Sequence, residues 1–254
     1  MQLAARDALS LARRGLAIVP NFISESTADA ARAQIQLGER LNEATLGSAG
    51  QDASVRADKI RWTSPEQESG AMAEIIGGLR SLPRQIEEGC AGYWGAGELL
   101  LPPKCMVSRY SGPAGHYVSH LDGVAVDVAA KPAKSGDELM RELIASGGLD
   151  DVRSFMKDAG GAMAEQNQRK HRRREVTSIL YLNDAAWDAD EGADGGALRC
   201  QLGEGAAAEF ETVAPRGGTL VLFKSRLIPH EVLPTRRDRF ALSLWIEAEP
   251  KHRT

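Results

Sequence analysis

The chain has 254 residues, with 31 Lys and Arg against 35 Asp and Glu, for a formal net charge of −4. That length suits one large domain with a sizeable core, and the charge balance makes nucleic acid an unlikely bulk partner. Three scattered cysteines (Cys90, Cys105, Cys200) argue against a disulfide framework and for a reducing compartment, and no apolar run reaches the roughly 20 residues of a membrane span.

In chain order, residues 2–14 place Leu3, Ala4, Ala8, Leu11 and Ala12 on one helical face, with Gly15 as the C-cap. Arg6, Asp7, Arg13 and Arg14 interrupt this stretch as a signal-peptide core, and Asp7 weighs against a transit peptide. A cytoplasmic protein, or a nuclear one in a eukaryote, is expected. Leu16 begins a short strand that Pro20 ends, and Ser24 or Ser26 caps a helix over about 26–44. Residues 47–54 read as a loop, 58–62 as a strand, and about 70–89 as a helix that Pro83 kinks or restarts. From Leu99 onward the pattern changes to short strands over 104–111, 116–122, 175–183, 196–202, 209–214, 218–224, 229–233 and 238–247. The fold class is therefore mainly β with flanking helices (α+β), with two sheets as in a jelly roll. Residues 1–98 would form a helical support region of the same domain, and 99–248 the β core.

Between Asp122 and Val176 the chain spends about fifty residues, with helical stretches near 136–146, 149–159 and 161–170. This helical insertion, 123–175, leaves directly from the 116–122 strand. It reads either as a lid or substrate-docking element at the mouth of a site on that strand, or as a surface insertion. Its basic end, Arg169-Lys-His-Arg-Arg-Arg174, reads as a solvated helix end in preference to a localisation or nucleic-acid patch.

In Tyr117-Val-Ser-His-Leu-Asp122, His120 and Asp122 are two residues apart, so on a strand they project into the same space. With His230 they would make two histidines and one carboxylate, the facial triad of non-haem Fe(II) oxygenases. His116 is a rival, because it shares the parity of both, whereas His171 and His252 lie in the basic run and a polar tail. Arg239 follows His230 by nine residues and precedes the largely apolar run 240–246. A buried guanidinium needs an anion, and a bidentate grip would suit the far carboxylate of 2-oxoglutarate. The alternative for Arg239 is a surface salt bridge with a neighbour such as Asp238.

Several motifs occur in order: Lys104-Cys-Met-Val-Ser-Arg-Tyr110, Tyr117-x-x-His-x-Asp122, Ile179-Leu-Tyr-Leu-Asn183, Trp187-Asp188, Gly195-Gly-Ala-Leu-Arg199, Pro229-His-Glu-Val-Leu-Pro234 and Arg239-Phe-Ala-Leu-Ser-Leu-Trp245, preceded by Arg56-Ala-Asp-Lys-Ile-Arg-Trp62. Together they resemble the prolyl hydroxylases that modify hypoxia-inducible factor and their bacterial and protist relatives, over roughly residues 15 to 247 with the 123–175 interruption. The resemblance implies a double-stranded β-helix core and selects His120 over His116, giving His120, Asp122 and His230 as Fe(II) ligands. It implies that Arg239 and Tyr181 bind 2-oxoglutarate. It also implies that Tyr110 and Ser243 line the pocket, with Met106 and Tyr117 similar, and that Trp245 lies near the substrate proline. For these five residues plain core packing is the alternative. Arg56, Asp58 and Trp62 would belong to a mobile substrate loop, with Asp58 pairing with Arg174 to close it over a peptide. The implied activity is prolyl 4-hydroxylation of a proline-containing protein or peptide; apart from the resemblance, a monomer is favoured, the sequence itself leaving the oligomeric state open. Fe(II), 2-oxoglutarate and O2 would be required, ascorbate would be an accessory reductant, and oxygen sensing is a role found with such enzymes. Two alternatives stand beside it: a dioxygenase acting on a small molecule or free amino acid, and a non-catalytic β scaffold. The Arg56–Trp62 motif speaks for a peptide, and intact iron and 2-oxoglutarate positions speak against a scaffold.

Overall fold

The computed structural model describes residues 1–38, 41–44, 52–90, 98–122, 173–190, 192–203 and 208–248. Helix α1 (Ala5–Arg14) ends where Gly15 adopts φ 79° and its N–H bonds to the Leu11 carbonyl at 3.0 Å. Strand β1 (Leu16–Val19) follows. Helix α2 (Glu25–Leu37) is capped by the Ser24 hydroxyl, which accepts from the Thr27 N–H at 3.1 Å. The helix expected to reach residue 44 instead stops at Leu37: Gly38 is extended, and Asn42–Glu43 forms strand β2, paired with β3 (Asp58–Thr63). The helix expected over 70–89 is two, α3 (Gly70–Leu79) and α4 (Leu82–Gly89), with Pro83 in the first turn of the second.

The remaining strands are β4 (Leu99–Leu100), β5 (Cys105–Tyr110), β6 (Gly115–His120), β7 (Arg173–Tyr181), β8 (Leu198–Leu202), β9 (Glu209–Val213), β10 (Leu220–Lys224), β11 (His230–Thr235) and β12 (Arg239–Ala248). Each strand expected from residue 104 onward is present. Among the described residues they form two sheets. One has the order β1-β10-β7-β12-β5-β3-β2, with β4 also on β12, and the other has β6-β11-β8-β9. The helical stretches expected within 123–175 lie outside the described residues, apart from residues 173–175, which open β7.

Side-chain alternation sorts the larger sheet into two faces. On β12, Phe240, Leu242, Leu244 and Ile246 join Val176, Leu180, Leu220 and Leu222 in a core with Leu11, Ala28, Ile35, Ile75 and Ile86 of the four helices. The intervening residues face the other way. Ala241, Tyr110, Ile179, Tyr181, Val221 and Phe223 pack with Leu198, Cys200, Val213 and Val232 of the smaller sheet. Residues 55–57 tie the two sheets together at one edge. The Ala57 N–H donates to His116 O and the Val118 N–H to Val55 O, each at 2.9 Å, so the chain entering β3 is also hydrogen-bonded to β6.

Leu242 is fully buried against the helices, on the face that carries none of the polar inner residues. Leu242→Ala is expected to lower stability by about 2–5 kcal/mol through lost burial and a residual cavity, measured by denaturant unfolding.

Candidate active site

His120 is the last residue of β6 and His230 the first of β11, and the two are paired directly across the antiparallel ladder. Directly opposed residues share a face, so the imidazoles converge, with ring centroids 4.3 Å apart. Asp122 lies just beyond β6. Its Oδ1 is 3.9 Å from His120 Nε2 and its Oδ2 is 3.8 Å from His230 Nε2. One ligand atom from each of the three residues falls within 4.8 Å of the others, a spacing that a single metal ion can bridge. Each histidine has its Nδ1 on a backbone carbonyl two residues earlier, His120 on Val118 at 2.8 Å and His230 on Ile228 at 3.1 Å. With Nδ1 donating there, Nε2 is left as the lone-pair donor toward the centre.

The electrostatics favour the ligating protonation states. Burial, and then the neighbouring His230, push His120 down to about 4, and burial likewise lowers His230. Burial alone would raise the Asp122 carboxyl. His230, together with hydrogen bonds from Thr177 and Trp245, holds it below its usual range. The site therefore presents two neutral imidazoles and one carboxylate at neutral pH. Asp122 Oδ2 accepts from Thr177 Oγ1 at 2.7 Å and from Trp245 Nε1 at 2.8 Å, and Thr177 Oγ1 also contacts Ser225 Oγ at 2.9 Å.

Arg239 is only 1% exposed, at the start of the inner face of β12. Its guanidinium carbon lies 5.0 Å from the Tyr110 ring centroid and 4.9 Å from that of Tyr181. Arg239 Nε and Nη2 and the Tyr181 hydroxyl are buried and have no hydrogen-bond partner. Asp238, the neighbour that could have neutralised Arg239, instead pairs with Arg109 at 2.6 Å. A planar cation with two unpartnered nitrogens beside a hydroxyl without a partner is the complement of a carboxylate. Burial pushes Tyr181 up to about 12, which keeps it a protonated donor. Gly196, at φ 69°, lies against the arginine: a Cβ there would sit 3.0 Å from Arg239 Cδ. Ser243, 6% exposed, follows on the same face of β12, opposite Met106 in the β5 register.

The residues expected in a substrate loop are placed differently. Asp58 and Trp62 belong to β3, opposite Tyr110 and Met106. Arg56 Nε and Nη2 donate to the two Asp58 carboxylate oxygens at 2.7 Å each. The expected Asp58–Arg174 pair is thus not formed. Arg56 and Asp58 share a face of extended chain and satisfy each other locally, whereas Arg174 lies 4.2 Å over the Trp245 ring and 3.9 Å from Asp122 Oδ1. Arg56 also covers Tyr117 at 4.5 Å, and Tyr117 stacks on His120 with centroids 3.7 Å apart. Trp62 is 45% exposed and meets Trp245 at 5.6 Å. His116 turns away from the cluster, its nitrogens on Ala114 O and Ser54 O. Thr177 and Ser225 carry no motif that marks them in the sequence. The available signal was parity, because Thr177 shares the face of Tyr181 on β7.

Similarity to known proteins covers these elements. The family model described as the 2OG-Fe(II) oxygenase superfamily matches residues 105–247, more than half of the chain and the whole set of cluster and pocket residues. Egl nine homolog 1 of Homo sapiens is 28% identical over 240 residues, covering 92% of this chain and 44% of that protein. The Rattus norvegicus protein of the same name is also 28% identical, over 92% of this chain and 55% of its own length. The chain thus spans about half the length of the curated relatives it matches. A crystal structure of a Pseudomonas putida prolyl-4-hydroxylase superposes with a TM-score of 0.64 at 24% identity, over 97% of this chain and all of that one. A Trichoplax adhaerens prolyl hydroxylase, solved with a peptide fragment of the hypoxia-inducible factor oxygen degradation domain, gives 0.63 at 23% identity, over 94% and 86%. These structures share the double-stranded β-helix expected from the sequence. With a two-histidine, one-carboxylate cluster and a buried arginine carrying two unpartnered nitrogens on strands that the family model spans, the chain belongs to the 2OG-Fe(II) oxygenase superfamily.

Proposed function

We propose that the chain is an Fe(II)- and 2-oxoglutarate-dependent dioxygenase that hydroxylates a proline in a protein or peptide substrate. The observation that carries this reading is the pairing of the His120–Asp122–His230 cluster, built on the smaller sheet, with a buried arginine on the inner face of the larger sheet whose Nε and Nη2 have no hydrogen-bond partner. The choice of proline draws on the prolyl hydroxylases among the similar proteins and on the exposed Trp62 beside Trp245 at the rim.

His120, Asp122 and His230 would hold the metal. When bound, iron with 2-oxoglutarate and O2 supplies the oxidising chemistry, in which the co-substrate leaves as succinate and CO2 and a substrate C–H becomes C–OH. Arg239 and Tyr181 would bind the distal carboxylate, orienting the co-substrate before any chemistry begins. Tyr110 and Ser243 close the pocket wall, and its burial keeps water from the reacting atoms. Arg56, paired with Asp58, braces Tyr117 behind His120. Trp62, Trp245 and Arg174 form the side from which a peptide would approach. No side chain is required as a general base. The reading includes residues 1–98 as support for the 99–248 catalytic core, residues 123–175 as an insertion within it, ascorbate as an accessory reductant, a monomer, and a cytoplasmic or nuclear location. No helix among the described residues is long and apolar enough to cross a membrane.

Purified protein with Fe(II), 2-oxoglutarate and O2 is expected to form succinate, with stimulation by a proline-containing peptide that gains one oxygen atom on proline by mass spectrometry. His230→Ala should remove both activities, and succinate formation that no peptide stimulates would count against the peptide assignment. Tyr181→Phe is expected to raise the KM for 2-oxoglutarate by roughly 3- to 10-fold, and Arg239→Ala by roughly 10- to 100-fold, following the lower worth of a neutral than of a charged hydrogen bond. Protons compete with metal for imidazole. A His120 value near 4 moves that competition down from the ordinary histidine range. Co(II) affinity measured by titration should therefore change little from about pH 7 to about pH 5 and fall steeply only below that.

A further inference from the structure

We propose that Thr177, itself held by Ser225, is a positioning residue that fixes which oxygen of Asp122 faces the metal, an inference that rests on the metal centre proposed above. Asp122 lies beyond the last residue of β6, outside the ladder that aligns His120. Its side chain must therefore be fixed by other means. Thr177 on β7 and Trp245 on β12 supply them, both donating to Oδ2, at 2.7 and 2.8 Å.

The proton directions follow from the chemistry. A carboxylate oxygen only accepts, so the single hydroxyl proton of Thr177 is committed to Asp122. The 2.9 Å contact between Thr177 Oγ1 and Ser225 Oγ then runs one way, with Ser225 donating to Thr177. Both hydroxyls are buried, so solvent does not compete for these bonds. With two donors on Oδ2, its lone pairs are taken up, whereas Oδ1 has His120 Nε2 and Arg174 Nη1 at 3.9 Å each, beyond hydrogen-bond distance, and is the oxygen left to bind a cation. Asp122 is thereby set as a one-oxygen ligand. Two histidines and one carboxylate oxygen would hold a metal by three protein atoms, and a carboxylate swung into two-oxygen binding would take up a further position.

The test uses Co(II) with the full chain and no co-substrate, reading the dissociation constant and the visible absorption spectrum. Thr177→Val keeps the shape of the side chain and removes the donor. It is expected to weaken Co(II) binding by about 10- to 100-fold and to change the visible bands, as loss of a ligand's hydrogen-bond partner does elsewhere. Thr177→Ser should restore both, and Ser225→Ala should move both in the same direction by less. Wild-type affinity and spectrum in Thr177→Val would overturn the proposal. Should thermal melting show that Thr177→Val does not fold, Ser225→Ala decides: altered affinity and bands support the relay, and unaltered ones overturn it. Failure of the wild-type chain to bind Co(II) would sink the metal centre itself, whereas loss of binding in His230→Ala alone leaves only the Thr177 assignment at stake.

Discussion

Burying a guanidinium costs several kcal/mol unless an anion compensates, and Arg239 is buried without one. The surrounding structure supports that cation in three ways. Tyr110 and Tyr181 present ring faces to it. Gly196 leaves room for its aliphatic arm. The apolar packing of β12 against β5 and β7 holds the strand that carries it. The pocket is thus preorganised for a carboxylate, with the desolvation already met by folding.

The metal cluster obeys the same logic with the opposite sign. Asp122 is a buried carboxylate whose charged form is stabilised by hydrogen bonds from Thr177 and Trp245. The imidazoles are neutral because burial penalises their protonated forms. The unpartnered donors of the Arg239 pocket suit an anion, and the donor set of the cluster suits a cation. A metal ion chelated by one end of a dicarboxylate would answer both needs at once.

Much of this could be read from the sequence because strand geometry has a short period. His120 and Asp122 share a face at a spacing of two, and Pro83 restarts a helix for local steric reasons. The same rule would have given the Arg56–Asp58 pair, also two apart on extended chain, which the long-range pairing with Arg174 obscured. Helix α2 is shorter than its sequence suggests because apolar spacing says nothing of the extended backbone at Gly38 or of a two-residue pairing with β3. Parity places Thr177 on the inner face of β7 but does not give its partner. A threonine on a strand is unexceptional until folding brings it against a carboxylate 55 positions away, and only the tertiary arrangement does that.

Strand β12 divides its work by parity: even-numbered residues from Phe240 to Ile246 anchor the helices, and odd-numbered ones from Arg239 to Trp245 furnish the inner chamber. Selection for a durable fold and selection for chemistry therefore act on interleaved but separate positions of the same ten-residue segment. The chamber can be rebuilt for a new substrate by changing alternate residues, while the helices continue to rest on an unchanged surface.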